Sequence, residues 1–193
     1  MLGASRDKSV LNLFAYTCGI GICAAVGGAD QVINVDFASS HLEFGVRNAG
    51  LNGITAQQMA FINEDVFPVL RQFAGLRVKG RSRRRSYMKL APRQFDLVVM
   101  DPPRWAKSTF GAVDLVRDYQ SIFKPALLAT KPGGKILCTN HVPQVDLDGW
   151  LDILERCAAK TGRPLKDIRI IKPEEDFPAK DDRHPLKIAV VKV

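Results

Sequence analysis

Short apolar runs alternate with amphipathic stretches along almost the whole chain. A continuous apolar run that ends in a small or polar residue is typical of a strand buried on both faces of a sheet. Such runs predict strands over about 9–16, 31–36, 59–62, 95–100, 135–139, 167–171 and 186–193. The spacing between these runs leaves room for a helix after most of them.

Helices are predicted between the strands from apolar residues at helical spacing. They run through 23–26, from Ser39 or Ser40, through 69–73, from about Asp114 and from Asp146. Ser39 or Ser40 is expected to cap the second helix, and Asp146 is expected to cap the last. Pro125 should kink the fourth helix or start a new turn. Strand and helix alternate, which predicts an α/β fold with a doubly wound, mostly parallel sheet.

Some apolar positions define the inward faces of these helices. In the second helix they are Leu42, Val46 and Ala49; in the fourth they are Leu115, Tyr119, Ile122 and Ala126; and in the last they are Trp150, Leu154, Cys157 and Ala158. These positions are expected to be buried.

The first predicted strand leads into a turn of small residues that contains Gly19 and Gly21. Glycine lets a backbone turn tightly and approach a ligand closely, and a strand, such a turn and a helix together present N–H groups to a nucleotide. The second strand ends in Asp36, whose carboxylate can accept both hydroxyls of a ribose. This arrangement points to a nucleoside cofactor.

The fourth strand ends in Asp101, Pro102 and Pro103, followed by Trp105. Two prolines have a fixed φ and no N–H donor, so they form a stiff shelf beside the acceptors of Asp101. A planar base can lie on this shelf and stack on Trp105. The simpler alternative is a loop that carries a packed tryptophan.

Ligands of open parallel sheets bind outside the carboxyl ends of the strands. Gly19, Asp36, Asp65, Asp101 and Asn140 all follow predicted strands. They are therefore expected to share one cleft, although any one of them could instead serve helix packing or capping.

Composition narrows the class of protein. The 193 residues fit one domain over 1–193. No apolar run approaches the length of a bilayer span, and the first residues lack a signal-peptide pattern, so a cytoplasmic location is expected. The four cysteines form no Cys-x-x-Cys pair. Neither a metal site nor disulfides are expected.

The net charge of +8 is concentrated in a basic segment at about 77–93. Arg83, Arg84 and Arg85 are its candidate RNA contacts, and a solvated loop is an equally open interpretation. The segment connects a helix to the fourth strand, so its two ends are expected on the side opposite the cofactor. Its arginines would then contact phosphates far from the target base.

Several of these segments together resemble one known family. They are residues 10–21, 34–36, 48–53, 65–67 and 101–105. They closely resemble the class I S-adenosylmethionine-dependent methyltransferases. The nearer resemblance is to the bacterial large-subunit ribosomal RNA methyltransferases that modify cytosine at carbon 5 or guanine at nitrogen 7. It implies a Rossmann-like sheet of seven strands with the last one antiparallel, S-adenosyl-L-methionine as cofactor and ribosomal RNA as substrate.

The resemblance also implies roles for individual residues. Cofactor contacts after the first strand would come from Phe14, Tyr16, Thr17, Cys18, Gly19 and Gly21. Asp36 would bind the ribose, Phe37 would pack on the adenine, and Asp65 and Val66 would contact the adenine amino edge. The residues expected at the methyl group and substrate are Asp101, Pro102, Pro103, Trp105 and Asn140.

The target atom is the point on which the two branches differ. The cytosine branch carries a nucleophilic cysteine in a Ser-Cys pair after the fifth strand, where this chain has Asn140 and His141. Cys138 lies within the strand and is expected to be core. A purine ring nitrogen is therefore favoured, with cytosine carbon 5 as the alternative.

Two readings from other classes stay open. A nicotinamide-dependent dehydrogenase would use Gly19, Gly21 and Asp36 but would not explain the Asp-Pro-Pro element. Relatives carry RNA-binding segments before the first strand, and this sequence starts shortly before Val10. A fragment, or a noncatalytic module that binds cofactor or RNA, is the other expectation. The oligomeric state is left open.

Overall fold

A computed structural model describes residues 2–78, 86–174 and 185–193. The strands are β1 (Ser9–Leu13), β2 (Gln31–Asp36), β3 (Met59–Asn63), β4 (Phe95–Met100), β5 (Trp105–Lys107), β6 (Ala112–Asp114), β7 (Thr130–Asn140), β8 (Asp167–Ile171) and β9 (Lys187–Lys192). The helices are α1 (Gly19–Val26), α2 (Ser39–Leu51), α3 (Val66–Phe73), α4 (Gln120–Leu128) and α5 (Leu147–Lys160), after a 3-10 turn at Leu2–Ala4. None of the helices in these ranges has the length and apolar character needed to cross a membrane.

Seven strands form one sheet in the order β3-β2-β1-β4-β7-β9-β8. The pairs among β1, β2, β3, β4 and β7 are parallel, whereas β9 runs antiparallel to β7 and β8. This confirms the mostly parallel seven-stranded sheet and the antiparallel last strand.

Helices cover both faces of the sheet. Side chains alternate along a strand, so a continuous apolar run such as β4 gives each face apolar side chains to bury. Leu97 and Val99 of β4 belong to the apolar cluster under α1 and α2. Val98 and Met100 belong to the larger cluster under α3, α4 and α5. The predicted Asp146 cap is confirmed, since its carboxylate accepts from the N–H of Gly149 at the start of α5.

Three local predictions near the first two helices are wrong. Strand β1 ends at Leu13, because Phe14 and Tyr16 adopt positive φ values of 55° and 49° that no strand contains. Helix α2 has Ala38 at its N-cap, with no side-chain cap. Val46 is exposed, and Gly45 takes the inward position instead because α2 lies close to the β1–α1 turn.

The helix predicted from Asp114 begins later. Asp114 ends β6, which forms an antiparallel hairpin with β5, and α4 starts only at Gln120. The predicted inward residues Leu115, Tyr119, Ile122 and Ala126 are nevertheless all buried. Helix α4 continues past Pro125 to Leu128.

Candidate active site

A cavity of about 600 Å³ opens at the carboxyl ends of the parallel strands. Phe14 contributes from the end of β1, Phe37 from the end of β2, and Pro103 from the segment after β4. Residues 63–66, at the end of β3 and just after it, line the third side. The topology thus brings residues from four strand ends to this edge of the sheet. Of the five residues expected to share one cleft, Asp65 lines this cavity.

The β5–β6 hairpin forms a wall that the sequence interpretation missed. Ala106, Phe110 and Val113 line the cavity from this hairpin. Its tip packs on α3, because a Cβ at Gly111 would lie 2.7 Å from the ring of Phe67. Two three-residue strands are too short to give a clear alternating pattern. The only sequence signal for a turn between the two strands was Gly111, directly before β6.

An interior part of the basic segment, around residues 86–88, also reaches this cavity. Ser86 lines it, and the N–H of Met88 donates at 2.9 Å to Oε2 of Glu64, which also lines the cavity. The chain then descends along α3, where the Leu90 N–H donates to the Gln72 side chain. The two ends of the segment lie opposite the cofactor side, as predicted, since the Arg93 N–H donates to the Phe73 carbonyl at the end of α3 and its guanidinium donates to Gln31 at the start of β2. Ser86 and Met88, within the segment, are the residues that come to the cavity. Arg83, Arg84 and Arg85 lie outside the described residues.

The β1–α1 turn is built from strained backbone. Phe14, Tyr16 and Cys18 all have positive φ, a conformation that costs about 1–3 kcal/mol for each non-glycine residue. Asp36 holds the turn, since its Oδ2 accepts from the Tyr16 N–H at 2.9 Å. The Cys18 N–H donates to the Ala15 carbonyl at 2.7 Å. Such strain is typical of functional turns that must keep one shape.

The two glycines of this turn have different surroundings. A Cβ at Gly19 would meet nothing within 4 Å, so the space above this exposed residue is open. A Cβ at Gly21 would overlap Oδ1 of Asn34, which accepts a hydrogen bond from Asn12 in the neighbouring strand at 2.9 Å. Gly19 can therefore face a ligand, whereas the structure gives Gly21 a packing role in place of the predicted cofactor contact.

Three further residues of the turn are not oriented as the resemblance implied. The Cys18 side chain is buried, with its Sγ only 2.5 Å from where a Cβ of Gly45 would lie. Burial and the nearby Asp36 charge raise the pKa of this thiol to about 12. Tyr16 is exposed, and its ring packs edge-on against His41. The backbone carbonyl of Thr17 accepts a hydrogen bond from the side-chain amide of Asn48. None of the three side chains lines the cavity.

Polar groups after β2 and β3 are partly used by the backbone. Asp36 is 6% exposed and accepts from two backbone N–H groups, those of Tyr16 and Ala38. Asp65 caps α3, with Oδ1 accepting from the Phe67 N–H at 2.8 Å. Phe37 is 75% exposed, so its ring face is available at the cavity wall. Each carboxylate oxygen of Asp36 retains a further lone pair for a ligand.

The Asp-Pro-Pro element lies beside this cavity. Asp101 is exposed, and its Oδ1 accepts a hydrogen bond from the Thr139 hydroxyl at the end of β7. Pro102 is buried and Pro103 is exposed at the cavity wall. The contact with Thr139 fixes the Asp101 carboxylate between β4 and β7.

Asn140 and Trp105 lie elsewhere than predicted. Asn140 is fully buried; its amide donates to the Leu115 carbonyl and accepts from the Val142 N–H. The structure thus gives it a positioning role in place of the predicted contact with substrate. Trp105 is 62% exposed but lies on the other side of the hairpin, away from the cavity.

The His, Cys, Asp and Glu side chains of the described residues form no metal-binding cluster and no disulfide. Within the described ranges, no group of three or more His, Cys, Asp or Glu side chains is arranged to hold a metal ion. All four cysteines are free thiols.

Comparison with known proteins places this geometry in a family. Residues 3–192 match the S-adenosylmethionine-dependent methyltransferase family. The chain is 33% identical over 171 residues to "Ribosomal RNA large subunit methyltransferase I" of Aeromonas salmonicida. The aligned residues cover 89% of this chain and 39% of that protein. It is 34% identical over 182 residues to the protein of the same name from Vibrio parahaemolyticus, covering 93% and 42%.

The chain therefore spans about two fifths of the length of these curated relatives. Among solved structures, SMU.776, a proposed methyltransferase complexed with SAH, superposes with a TM-score of 0.80 at 20% identity. That similarity covers 100% of this chain and 47% of the other, and it concerns the fold. The strand-end cavity, the fold and the sequence match agree, and the chain belongs to the S-adenosylmethionine-dependent methyltransferase family.

Proposed function

We propose that this chain is a methyltransferase domain that methylates a base of ribosomal RNA, with S-adenosyl-L-methionine as donor. The observation that carries the proposal is the cavity at the strand ends, walled by the hairpin and bordered by Pro103. The names of the relatives supply the substrate class. The family match over residues 3–192 supports a single domain. A ribosomal RNA substrate would in turn imply a cytoplasmic location.

The residues around the cavity fit this cofactor. Space above Gly19 is open, and the exposed ring of Phe37 offers a flat apolar face for an adenine. Asp65 uses Oδ1 as a helix cap, which leaves Oδ2 to accept from an amino group. The N–H of Val66 is at the first position of α3, where no intrahelical carbonyl is available. These groups match an adenine edge, and Asp36 remains the acceptor for ribose hydroxyls.

Bound S-adenosyl-L-methionine supplies an electrophilic methyl group. The contribution of the protein is to position the target base and exclude water from the transfer. Asp101, fixed by Thr139, presents acceptors to the base, and Pro103 gives a rigid border beside the cavity. None of these residues needs to form a covalent bond.

The environment of the cysteines supports a ring nitrogen as target. Methylation of cytosine at carbon 5 needs a thiolate that adds to the ring. Cys138 is fully buried in β7, and burial raises the pKa of its thiol, although its neighbour Tyr119, whose hydroxyl donates to the Thr139 carbonyl, acts in the opposite direction. Cys18 is buried with a raised pKa, and Cys157, on the inner face of α5, belongs to the core. Cys23 is exposed on α1 and does not line the cavity.

The substitution Cys138→Ser tests the target atom. We expect methyl transfer to ribosomal RNA to persist and the free energy of unfolding to fall by about 1–2 kcal/mol, because a hydroxyl replaces a buried thiol. Nucleoside mass spectrometry of the product should show a methylated purine. Cys157→Ser serves as a matched control for the loss of a buried thiol.

Two results would contradict the proposal. Loss of activity in Cys138→Ser together with 5-methylcytidine in the product of the unmodified protein would establish the cytosine mechanism. Cofactor binding without transfer to any ribosomal RNA would favour the noncatalytic module.

A further inference from the structure

The outer side of the β5–β6 hairpin carries a second, shallow depression of about 480 Å³. Trp105, Val116 and Arg117 line it from the hairpin and the segment after it, and Gln144 lines it from the loop after β7. The exposed fractions of Trp105 and Val116 are 62% and 45%. A large indole that is left in water, in a depression, indicates a surface that stacks with something flat.

Two guanidinium groups flank this indole. Arg104 precedes Trp105 and Arg117 follows the hairpin, and both line the depression. Asp114 also lines it, but its Oδ1 accepts from the backbone N–H groups of Val116 and Arg117. Within the described residues, neither arginine forms an ion pair with a carboxylate. Both positive charges are therefore available to an anion.

We propose that this depression binds one unpaired nucleotide of the RNA next to the target nucleotide, its base stacked on Trp105 and its phosphates beside Arg104 and Arg117. An indole with adjacent guanidiniums suits single-stranded nucleic acid, because every base has a stacking face and every linkage a negative charge. Duplex RNA keeps its bases stacked on one another and offers no free face.

The position of the hairpin explains why the bound nucleotide is a neighbour of the target. One side of the hairpin lines the cofactor cavity through Ala106 and Val113, and the other side carries Trp105. Asp101 lies only a few residues before Trp105 in the chain. A strand that delivers a base to Asp101 thus passes over the hairpin. This inference rests on the proposed RNA methyltransferase function.

Tryptophan fluorescence can test the stacking directly. The chain has two tryptophans, and Trp150, on the inner face of α5, is fully buried. A single-stranded oligoadenylate should therefore quench the emission of Trp105, while a fully paired RNA duplex of the same length should quench it far less. In Trp105→Phe the quenching signal should disappear.

Variants then separate stacking from other contributions. Trp105→Ala should weaken binding of the single-stranded RNA about tenfold, within the 1–3 kcal/mol expected for one base stack. Trp105→Phe should recover much of that affinity. Arg104→Ala with Arg117→Ala should reduce the slope of log K against log salt by about 1.4. The matched control is Phe44→Ala with Arg47→Ala, an exposed aromatic and its stacked guanidinium on α2. It should change neither measurement.

The outcomes distinguish this inference from the proposed function. A methyltransferase that is active on RNA, with oligoadenylate affinity unaffected by Trp105→Ala, would overturn the nucleotide site alone. A loss in Trp105→Ala confined to kcat, with an unchanged KM for RNA, would put the target base itself on Trp105. Quenching by protein partners but not by oligoadenylate would assign the surface to a protein. Absence of methyl transfer in every variant and in the unmodified protein would overturn the function instead.

Discussion

Gly19 and Gly21 are separated by a single residue, yet they lack side chains for different reasons. Open space lies above Gly19, whereas Asn34 of β2 lies directly against Gly21. The buried Asn12–Asn34 hydrogen bond fixes that asparagine and prevents it from moving aside. Sequence spacing could not separate the two roles, because the partner of Gly21 comes from another strand.

Substitution of the two glycines should produce opposite phenotypes. Gly19→Val should change the free energy of unfolding by less than about 1 kcal/mol, since helix propensities differ by no more than this. It should weaken S-adenosylmethionine binding at least tenfold, about 1.4 kcal/mol, because the new side chain occupies the open space. Gly21→Ala should instead cost about 1–3 kcal/mol of stability through overpacking. Calorimetry and urea unfolding measure the two effects, and normal cofactor affinity in Gly19→Val would contradict the placement of the ligand.

Asp36 combines two tasks at one carboxylate. It accepts from the N–H groups of Tyr16 and Ala38, and its remaining lone pairs are proposed to bind the ribose. The residue therefore holds the strained turn that its ligand approaches.

Asp36→Ala should lower both cofactor affinity and stability. Affinity should fall by about 1.5–3 kcal/mol, and the free energy of unfolding should fall by about 1–3 kcal/mol because two N–H groups lose their acceptor. Asp36→Asn, which keeps one carbonyl oxygen, should lose less stability than affinity. Asp30→Ala, an exposed carboxylate just before β2, is the control and should alter neither quantity. Unchanged calorimetric affinity in Asp36→Ala would be incompatible with a ribose contact.

At the scale of elements, Asp96 of β4 joins three central strands at the end opposite the cavity. Its Oδ2 accepts from the N–H and hydroxyl of Ser9 in β1 and from Nζ of Lys131 in β7. Burial by itself would raise the pKa of Asp96, but the bonds from Lys131 and Ser9 outweigh it and lower the pKa to about 2.

This pKa predicts a loss of stability in acid. Because the folded-state pKa lies below the ordinary value of 3.8, the contribution of Asp96 is complete above about pH 4 and is lost as the pH falls toward 2. Lys131 is 45% exposed, so solvent screening limits the contribution to about 1 kcal/mol. Urea unfolding at pH 6 and pH 2.5 should show a lower free energy of unfolding at the acid pH. In Asp96→Asn this part of the difference between the two pH values should disappear. Asp152→Asn, in a surface pair with Arg156, is the control. An equal acid loss in Asp96→Asn would rule out this role.

The hairpin is the element on which both proposals depend. It lines the cofactor cavity through Ala106 and Val113 and carries Trp105 on its other side. The Phe110 ring at its tip contacts the Tyr87 ring edge-on at 5.7 Å. The hairpin thereby connects the part of the basic segment around Tyr87 with the proposed substrate surface.

At the scale of the whole molecule, the positive charge should act on RNA through phosphates. Replacement of Arg83, Arg84 and Arg85 by alanine should weaken binding of all RNA sequences alike and reduce the salt slope by about 2. Cofactor affinity, measured by calorimetry, should not change. The charge-matched control removes three exposed cations elsewhere on the surface. They are Lys160 at the end of α5, Lys166 between α5 and β8, and Arg169 in β8, each replaced by alanine. An unaltered salt slope in the first variant would favour a solvated loop.

The sequence by itself determined the elements whose signal is local. Strands β2, β4 and β8 have the predicted bounds, because a strand that is buried or paired along its length keeps a continuous apolar or β-branched run. Helix α5 begins after its predicted cap, because a cap and a 3.6-residue apolar period are properties of neighbouring residues. Once the strands were predicted, their carboxyl ends were known as well. Those ends define the edge of the sheet where the cavity lies.

Only the tertiary structure decided which way the residues of that edge face. Cys18 points into the core and Asn140 bonds to backbone, although both follow predicted strands. Trp105 lies outside the cavity because an unpredicted hairpin reverses the chain after Pro103. The 86–90 segment reaches the cavity through contacts with Glu64 and Gln72 on distant elements. Such choices depend on long-range partners, which one stretch of sequence does not contain.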